Sequence, residues 1–465
     1  MLLLTALALL ALHAVAPAAA AESKLAGSGK SFFFIQANGQ VYAFGYNFEG
    51  NLGAGNRNDG YFPAPMLYTS NAVEVAAANE QTCVLEQGAV RCAGRGSLLG
   101  NGQTSRSTTL TQTSSLEANV TRVYTGLSYS CALLVGGVPR CWGYNTGGVL
   151  ANGNEQGAFL GVFLTPTTMT GLAAGGVQDL GLGALHSCLI MSGTGKVYCC
   201  GTNSDGQLGL GDRNDRSARY LMVPTTFTGA VSIACGSKHT CAVTSAGDVY
   251  CWGNNELGQL GQGVASDYSA IPLLVPGLGG GLVASVAAGA TATVSFFVLS
   301  ANGSVLSSGY DASGAAGGGD NATRLSPAFF ANGKAGIKEI RGGSETACVL
   351  LQDGAVQCVG SNQYGQLGRE LPGDSLVLGD LVFVTPAPTA PTLQPTLAPT
   401  RAPTLAPTRV PTLVPTGVPT QPTLAPTLEP TWEPTTASPS VAKTSSGLIA
   451  ATSPIGLLLG FALLQ

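Results

Sequence analysis

Seven times along this chain a short β-branched or aromatic run ends on a glycine. The runs are VYAFG at Gly45, VRCAG at Gly94, PRCWG at Gly143, VYCCG at Gly201, VYCWG at Gly253, VLSSG at Gly309 and VQCVG at Gly360. Successive glycines lie 49, 49, 58, 52, 56 and 51 residues apart. The clearest copy is KHTCAVTSAGDVYCWGNNELGQLG, from Lys238 to Gly261. Thr240–Thr244 reads as a strand, Ser245–Gly247 as a turn and Asp248–Trp252 as the returning strand. Gly253, Gly258 and Gly261 then supply the positive φ that a tight exit loop needs.

Each copy carries a further strand upstream, such as VSIACGSKHTC at 231–241, with alanine and glycine where backbones crowd together. In the first copy it shrinks to LAGSGKSF at 25–32. Downstream, Pro63, Pro166, Pro224, Pro272 and Pro327 recur. Proline cannot donate to a ladder, so these mark edge strands. A unit of about fifty residues cannot bury its apolar face alone, and copies of it stack around an axis. The expected fold is all-β: a seven-bladed β-propeller with four-stranded blades over residues 22–385, its ring completed by Ser375–Val384.

HTCAV…GDVYCWGNNELGQLG resembles the repeat of the regulator of chromosome condensation family, and the resemblance covers residues 25–384. The fourth and seventh copies follow it well, while the second and sixth are degenerate. It implies a seven-bladed propeller and leaves function open, because one fold hosts many functions. The family includes a nuclear guanine-nucleotide exchange factor for a small GTPase. The fold also resembles the secreted beta-lactamase inhibitory protein II and many binding propellers. No GTPase-contacting motif can be carried over.

The twelve cysteines follow the repeat. Cys83/Cys92, Cys131/Cys141, Cys188/Cys199, Cys241/Cys251 and Cys348/Cys358 each span one hairpin, which points to cross-strand disulfides. Copies one and six are expected to hold Phe32/Ala43 and Val294/Ser307 there. Cys200 replaces the tryptophan of Trp142 and Trp252, and Cys235 replaces an alanine of the upstream strand. An inter-blade Cys200–Cys235 bridge is the expectation. The alternatives are a Cys188–Cys200 bridge or two free thiols. No ligand cluster has the Cys-x₂₋₄-Cys spacing of a structural metal site. His186 and His239 share one repeat position, which reads as structural, so no cysteine–histidine dyad is assigned. No catalytic group, cofactor site or metal site is expected, and the protein reads as a non-enzyme.

The ends of the chain suggest the secretory route. Residues 1–21 are apolar and end in alanines, as in a signal peptide. Sequons stand at Asn119, Asn302 and Asn321. Residues 386–445 are Pro-Thr repeats, read as an O-glycosylated polyproline II stalk that would reach on the order of 150 Å. Residues 446–465 follow the small residues Ser445, Ser446 and Gly447 with a short apolar tail. This reads as a glycosylphosphatidylinositol signal with lipid attachment at Ser445. A transmembrane tail and simple secretion are the alternatives.

The net charge of -4 and the lack of a basic stretch exclude a nucleic-acid face. The leading expectation is therefore a monomeric cell-surface binding propeller with an extracellular protein or glycan partner. Its ligand loops would be the variable stretches 151–163 and 211–220, the latter with Asp212, Arg213, Asp215 and Arg216. The alternatives are an exchange factor for a small GTPase and a secreted enzyme inhibitor.

Overall fold

In the computed structural model the described residues are 24–383, apart from 28–29, 117–118, 154–160, 217–221, 290–292, 300, 343–344 and 371–372. The expected signal peptide, stalk and anchor signal, with Ser445, lie outside them. The described residues form seven antiparallel four-stranded sheets, each built from strands consecutive in the chain. In the fifth, Ala230–Cys235 is innermost, followed by His239–Thr244, Val249–Asn254 and Tyr268–Leu274 at the rim. The five recurrent prolines all fall on rim strands.

Glycine is the last or next-to-last residue of the third strand in every blade for a steric reason. Gly253 has φ +101°, and a Cβ there would lie 2.5 Å from the Lys238 carbonyl oxygen. The equivalent Gly309 has φ +121°, with 2.2 Å to the Thr293 oxygen. The exit loop is then pinned by a buried side chain. Asn255 Oδ1 accepts from Leu260 N at 3.1 Å, and Asn47, Asn145, Asn203, Asp311 and Asn362 each accept from the amide five residues on. The Gly-Gln-Leu-Gly motif is thus scaffold: Leu52, Leu208, Leu260 and Leu367 are buried by these bonds.

Strand alternation sorts each blade's side chains between its two neighbours. The Cys241↔Cys251 pair faces blade six, among Val283, Val286 and Phe297. Trp252, one residue on, faces blade four beside Leu208, and its indole donates to Gln207 O at 2.9 Å. The same arrangement recurs around the ring, so the apolar core is divided among the blade interfaces. In register, the partners of Ala43 and Ser307 are Phe33 and Phe296. The expected Phe32/Ala43 and Val294/Ser307 pairs are therefore corrected. Phe32 faces the seventh blade and Val294 lies opposite Gly309.

Ring closure also differs from expectation. Ser375–Asp380 is the rim strand of blade seven and does not pair with blade one. Closure is by packing. The amides of Lys24 and Leu25 donate to Glu339 Oε2 on the innermost strand of blade seven, at 3.0 and 3.2 Å. Phe383 then lays its ring edge-on against Phe34 and Tyr42 of blade one, with centroids 6.1 and 5.7 Å away.

Candidate functional site

The five hairpin pairs are bonded in the structure: Cys83–Cys92, Cys131–Cys141, Cys188–Cys199, Cys241–Cys251 and Cys348–Cys358. Cys200 and Cys235 are not. Both are buried thiols, pushed up to about 12 by burial. Neither the expected Cys200–Cys235 bridge nor the Cys188–Cys200 alternative forms, and alternation is the reason. Cys200 stands at the tryptophan position and faces blade three, with its Sγ 3.6 Å from Val149 O. Cys235 lies across the opposite face of the same blade, in the interface with blade five.

The histidines join blades. His186 Nε2 lies 2.9 Å from Thr240 Oγ1 of blade five, and His239 Nε2 lies 2.9 Å from Ser295 Oγ of blade six. Burial lowers the two rings to about 3 and about 4, so both stay neutral near neutral pH. Tyr129, at the same position in blade three, donates to His186 O at 2.7 Å. The position serves as a latch between neighbouring blades.

The charged loop at 211–216 also binds itself. Arg216 pairs with Asp212 at 2.7 Å, and that bond holds the Asp212 carboxyl below its usual range. Asp215 accepts from Asn203 N at 2.6 Å. Arg213 donates to Ser204 O and covers the Tyr268 ring. Each of the four charged groups thus has a partner within the blade, although Arg213 and Asp215 remain exposed. The remaining expected loop residues, 154–160 and 217–220, lie outside the described residues. Asn119, Asn302 and Asn321 are all exposed.

Along the axis the innermost strands enclose a cavity of about 770 Å³. Apart from the exposed Lys338, its charged side chains are paired within the wall. Arg122 bonds Glu74 at 2.8 Å, Arg341 bonds Glu339 at 2.6 Å, and Tyr124 donates to Asp179 at 2.9 Å. Burial pushes the Asp179 carboxyl up, partly offset by Arg122. Burial opposes the charge of Arg122, but Tyr124, Glu74 and Asp179 outweigh it and raise its pKa. The network ties blades two, three and four together.

The side chains with binding chemistry gather instead at one end of the barrel. The third strands end there and the second strands begin there. The Lys30 ammonium lies between two rings, 4.5 Å from the centroid of Tyr364 and 5.6 Å from that of Tyr46. Tyr46 meets Tyr364 edge-on at 5.1 Å and stacks on Phe48 at 6.3 Å. Burial and the Asp59 carboxylate raise the Tyr46 phenol above its ordinary value. Phe48 is 53% exposed, flanked by the Arg57 and Arg106 guanidinium groups at 4.6 and 5.8 Å. Arg106 pairs with Glu49 at 3.4 Å. Beyond it, Arg95 reaches over the Tyr144 ring at 5.5 Å and pairs with Glu80. A groove of about 390 Å³ lies there between blades two and three, lined by Arg95, Ser97, Thr104, Tyr144, Val162 and Leu164.

This arc runs from blade seven to blade three and is rich in aromatic residues and arginine. Those residue types anchor interfaces, because they offer large rigid area with a polar edge. Planar rings and flanking cations also suit sugars and acidic groups. Sequence reading missed the arc because its members come from different copies. One signal was available: the residue after the anchor glycine is Tyr46, Arg95, Tyr144 and Tyr310 in four copies.

Two profiles of the regulator of chromosome condensation repeat match the chain. One covers residues 177–207, 230–259 and 337–366, and the other covers residues 38–85, 194–243 and 246–296. The ultraviolet-B receptor UVR8 of Arabidopsis thaliana is 31% identical over 300 residues, 63% of this chain and 66% of the receptor. The E3 ubiquitin-protein ligase HERC2 of Homo sapiens is 31% identical over 214 residues, 44% of this chain. The chain thus spans just under two thirds of the receptor and 4% of the ligase. Among solved structures, the Saccharomyces cerevisiae Prp20p is 18% identical with a TM-score of 0.64, covering 76% of this chain and 88% of that one. Human WBSCR16 is 21% identical with a TM-score of 0.63, covering 74% and 95%. At these identities the structures establish the shared fold. With seven repeat copies, each folded as a four-stranded blade, the chain belongs to the regulator of chromosome condensation repeat family.

Proposed function

We propose that the protein is a binding module, displayed outside the cell, that takes a protein or glycan ligand on the arc from Tyr364 through Tyr46 and Phe48 to Tyr144. The observation that carries this reading is the exposed Phe48 ring flanked by Arg57 and Arg106, beside the Lys30 ammonium between two tyrosine rings. Desolvating such rings and cations against a partner gives the concentrated binding energy typical of interface anchors. The five hairpin bridges support an oxidising compartment. The sequence of residues 1–21 supports entry to it, and residues 386–465 support a stalk ending in a lipid anchor. Glycans at Asn119, Asn302 and Asn321 belong to the same reading.

The test uses residues 22–385, secreted from eukaryotic cells, as a probe on cell surfaces and on immobilised glycans. The native probe is expected to bind. Tyr46→Ala with Phe48→Ala should reduce binding at least tenfold with the melting temperature little changed. Undiminished binding would move the site off the arc. Nucleotide release from a small GTPase, with no surface binding, would replace this reading with the exchange-factor alternative.

A further inference from the structure

The interface of blades four and five holds a group of donor atoms that the binding reading does not use. A ring nitrogen of His186, the Sγ of Cys188 and the Sγ of Cys235 all lie within 4.8 Å of one another, and all three residues are buried. The Sγ of Cys199 joins them, bonded to Cys188. Cys188, Cys199 and Cys235 line the same interface, beside Ile233 and Trp252. Cys200 faces the other side of the sheet and takes no part.

We infer that these four residues form a latent site for a soft divalent cation such as zinc, closed while the Cys188–Cys199 bridge is intact. Three thiolates and one imidazole are a known tetrahedral zinc donor set. With zinc–sulfur bonds of about 2.3 Å, ligand atoms stand about 3.8 Å apart, so the His186, Cys188 and Cys235 atoms need to close in by roughly 1 Å at most, while the Cys188 and Cys199 sulfurs, bonded in the bridge, must separate once it is reduced. Two further observations favour the site. Among the described residues, His186 Nδ1 is buried without a hydrogen-bond partner. Thr240 Oγ1 already holds His186 Nε2 at 2.9 Å and Cys235 Sγ at 3.7 Å, as an outer group that orients ligands would.

Opening the site takes two electrons and two protons from an external thiol or phosphine reductant, which break the Sγ–Sγ bond into two thiols. Metal binding then releases three protons, one from each of Cys188, Cys199 and Cys235. The centre carries one net negative charge. The other four hairpins free only two thiols each. The histidine and third thiol beside the blade-four pair make this hairpin different. The inference stands apart from the extracellular reading: in an oxidising compartment the site stays closed, and in a reducing one it loads.

The test frees the ligands without reducing the other bridges. Cys199→Ser in the full chain leaves Cys188, Cys235 and His186 with one open position. Titrated anaerobically with cobalt(II), it should bind one ion per chain. The expected signature is thiolate-to-cobalt charge transfer with strong tetrahedral ligand-field bands, erased by zinc. Adding Cys235→Ser should remove the charge-transfer band. Cys251→Ser, which frees Cys241 in blade five, should show none.

A folded Cys199→Ser chain without the band would overturn the assignment. So would the same band in Cys251→Ser, or a Cys188–Cys235 disulfide found in place of bound metal. If Cys199→Ser does not fold, the native chain reduced with a phosphine gives the decision. One cobalt per chain with the band supports the site, and none overturns it.

Discussion

Blades five and six perform the same structural task with different chemistry. Blade five fixes its hairpin with Cys241–Cys251, faces blade four with Trp252 and latches to blade six through His239. Blade six has Phe296 opposite Ser307 where the bridge would be. Phe296 is buried edge-on against Phe330 at 5.9 Å. Its pinning side chain is Asp311 where blade five has Asn255, accepting from Ala316 N at 2.6 Å. What the two blades share is the anchor glycine and the loop geometry. Backbone geometry therefore defines the repeat, while the contents of each interface can be exchanged.

The largest effects should therefore be common to both blades. Gly253→Val and Gly309→Val each force a Cβ within 2.5 Å of a backbone oxygen. Each is expected to destabilise by roughly 3–5 kcal/mol, read by chemical denaturation. Tolerance of either substitution would break the claim that geometry defines the repeat. Next, Phe296→Ala should cost about 3–4 kcal/mol as a buried aromatic lost beside Phe330. Removing Cys241 and Cys251 together as alanines should cost about 2–3 kcal/mol, from the chain-entropy of a short loop. Packing thus contributes at least as much in blade six as the bridge does in blade five.

Smaller effects read the electrostatics. Burial raises the Asp311 carboxyl from 3.8 to about 6, and Arg324 at 3.6 Å offsets part of that. The folded state holds this proton more tightly than the unfolded chain. Stability is therefore lost as pH rises from about 4 to 6, and stays lower above. Asp311→Asn, the residue type found at most equivalent positions, should add about 1–2 kcal/mol at pH 7 and flatten that slope. The His239 shift has the opposite sign. A ring lowered to about 4 gives stability that is present above about 6.5 and lost as pH falls toward 4. His239→Gln should remove that acid limb in thermal melts across pH.

Much of this was legible in the sequence because backbone constraint leaves a residue-level trace. Only glycine meets the φ of Gly45, Gly94 and their equivalents, so all seven anchors could be read directly. The rim prolines were readable for a similar reason, since each lacks a ladder donor. Cross-strand cysteines were readable because their pairing keeps step with the anchor. Three things were not. The partner of Ala43 was off by one because turn length varies between copies, and one residue flips a strand's faces. The Cys200–Cys235 expectation ignored that same alternation: Cys199 and Cys200 are adjacent and point to opposite interfaces. The binding arc was hidden because Lys30 and Tyr364 are 334 residues apart and meet only through ring closure. Closure itself rests on Glu339 and Phe383, which no repeat position announces.

The most direct test of the functional account is the location of the chain. Intact cells expressing it would be labelled with an antibody against the propeller and treated with a phosphatidylinositol-specific phospholipase. The expected result is surface label that the enzyme releases into the medium. Label found only in the nucleus or cytosol would contradict it. The hairpin cysteines would then be expected as thiols, and the search would turn to intracellular partners.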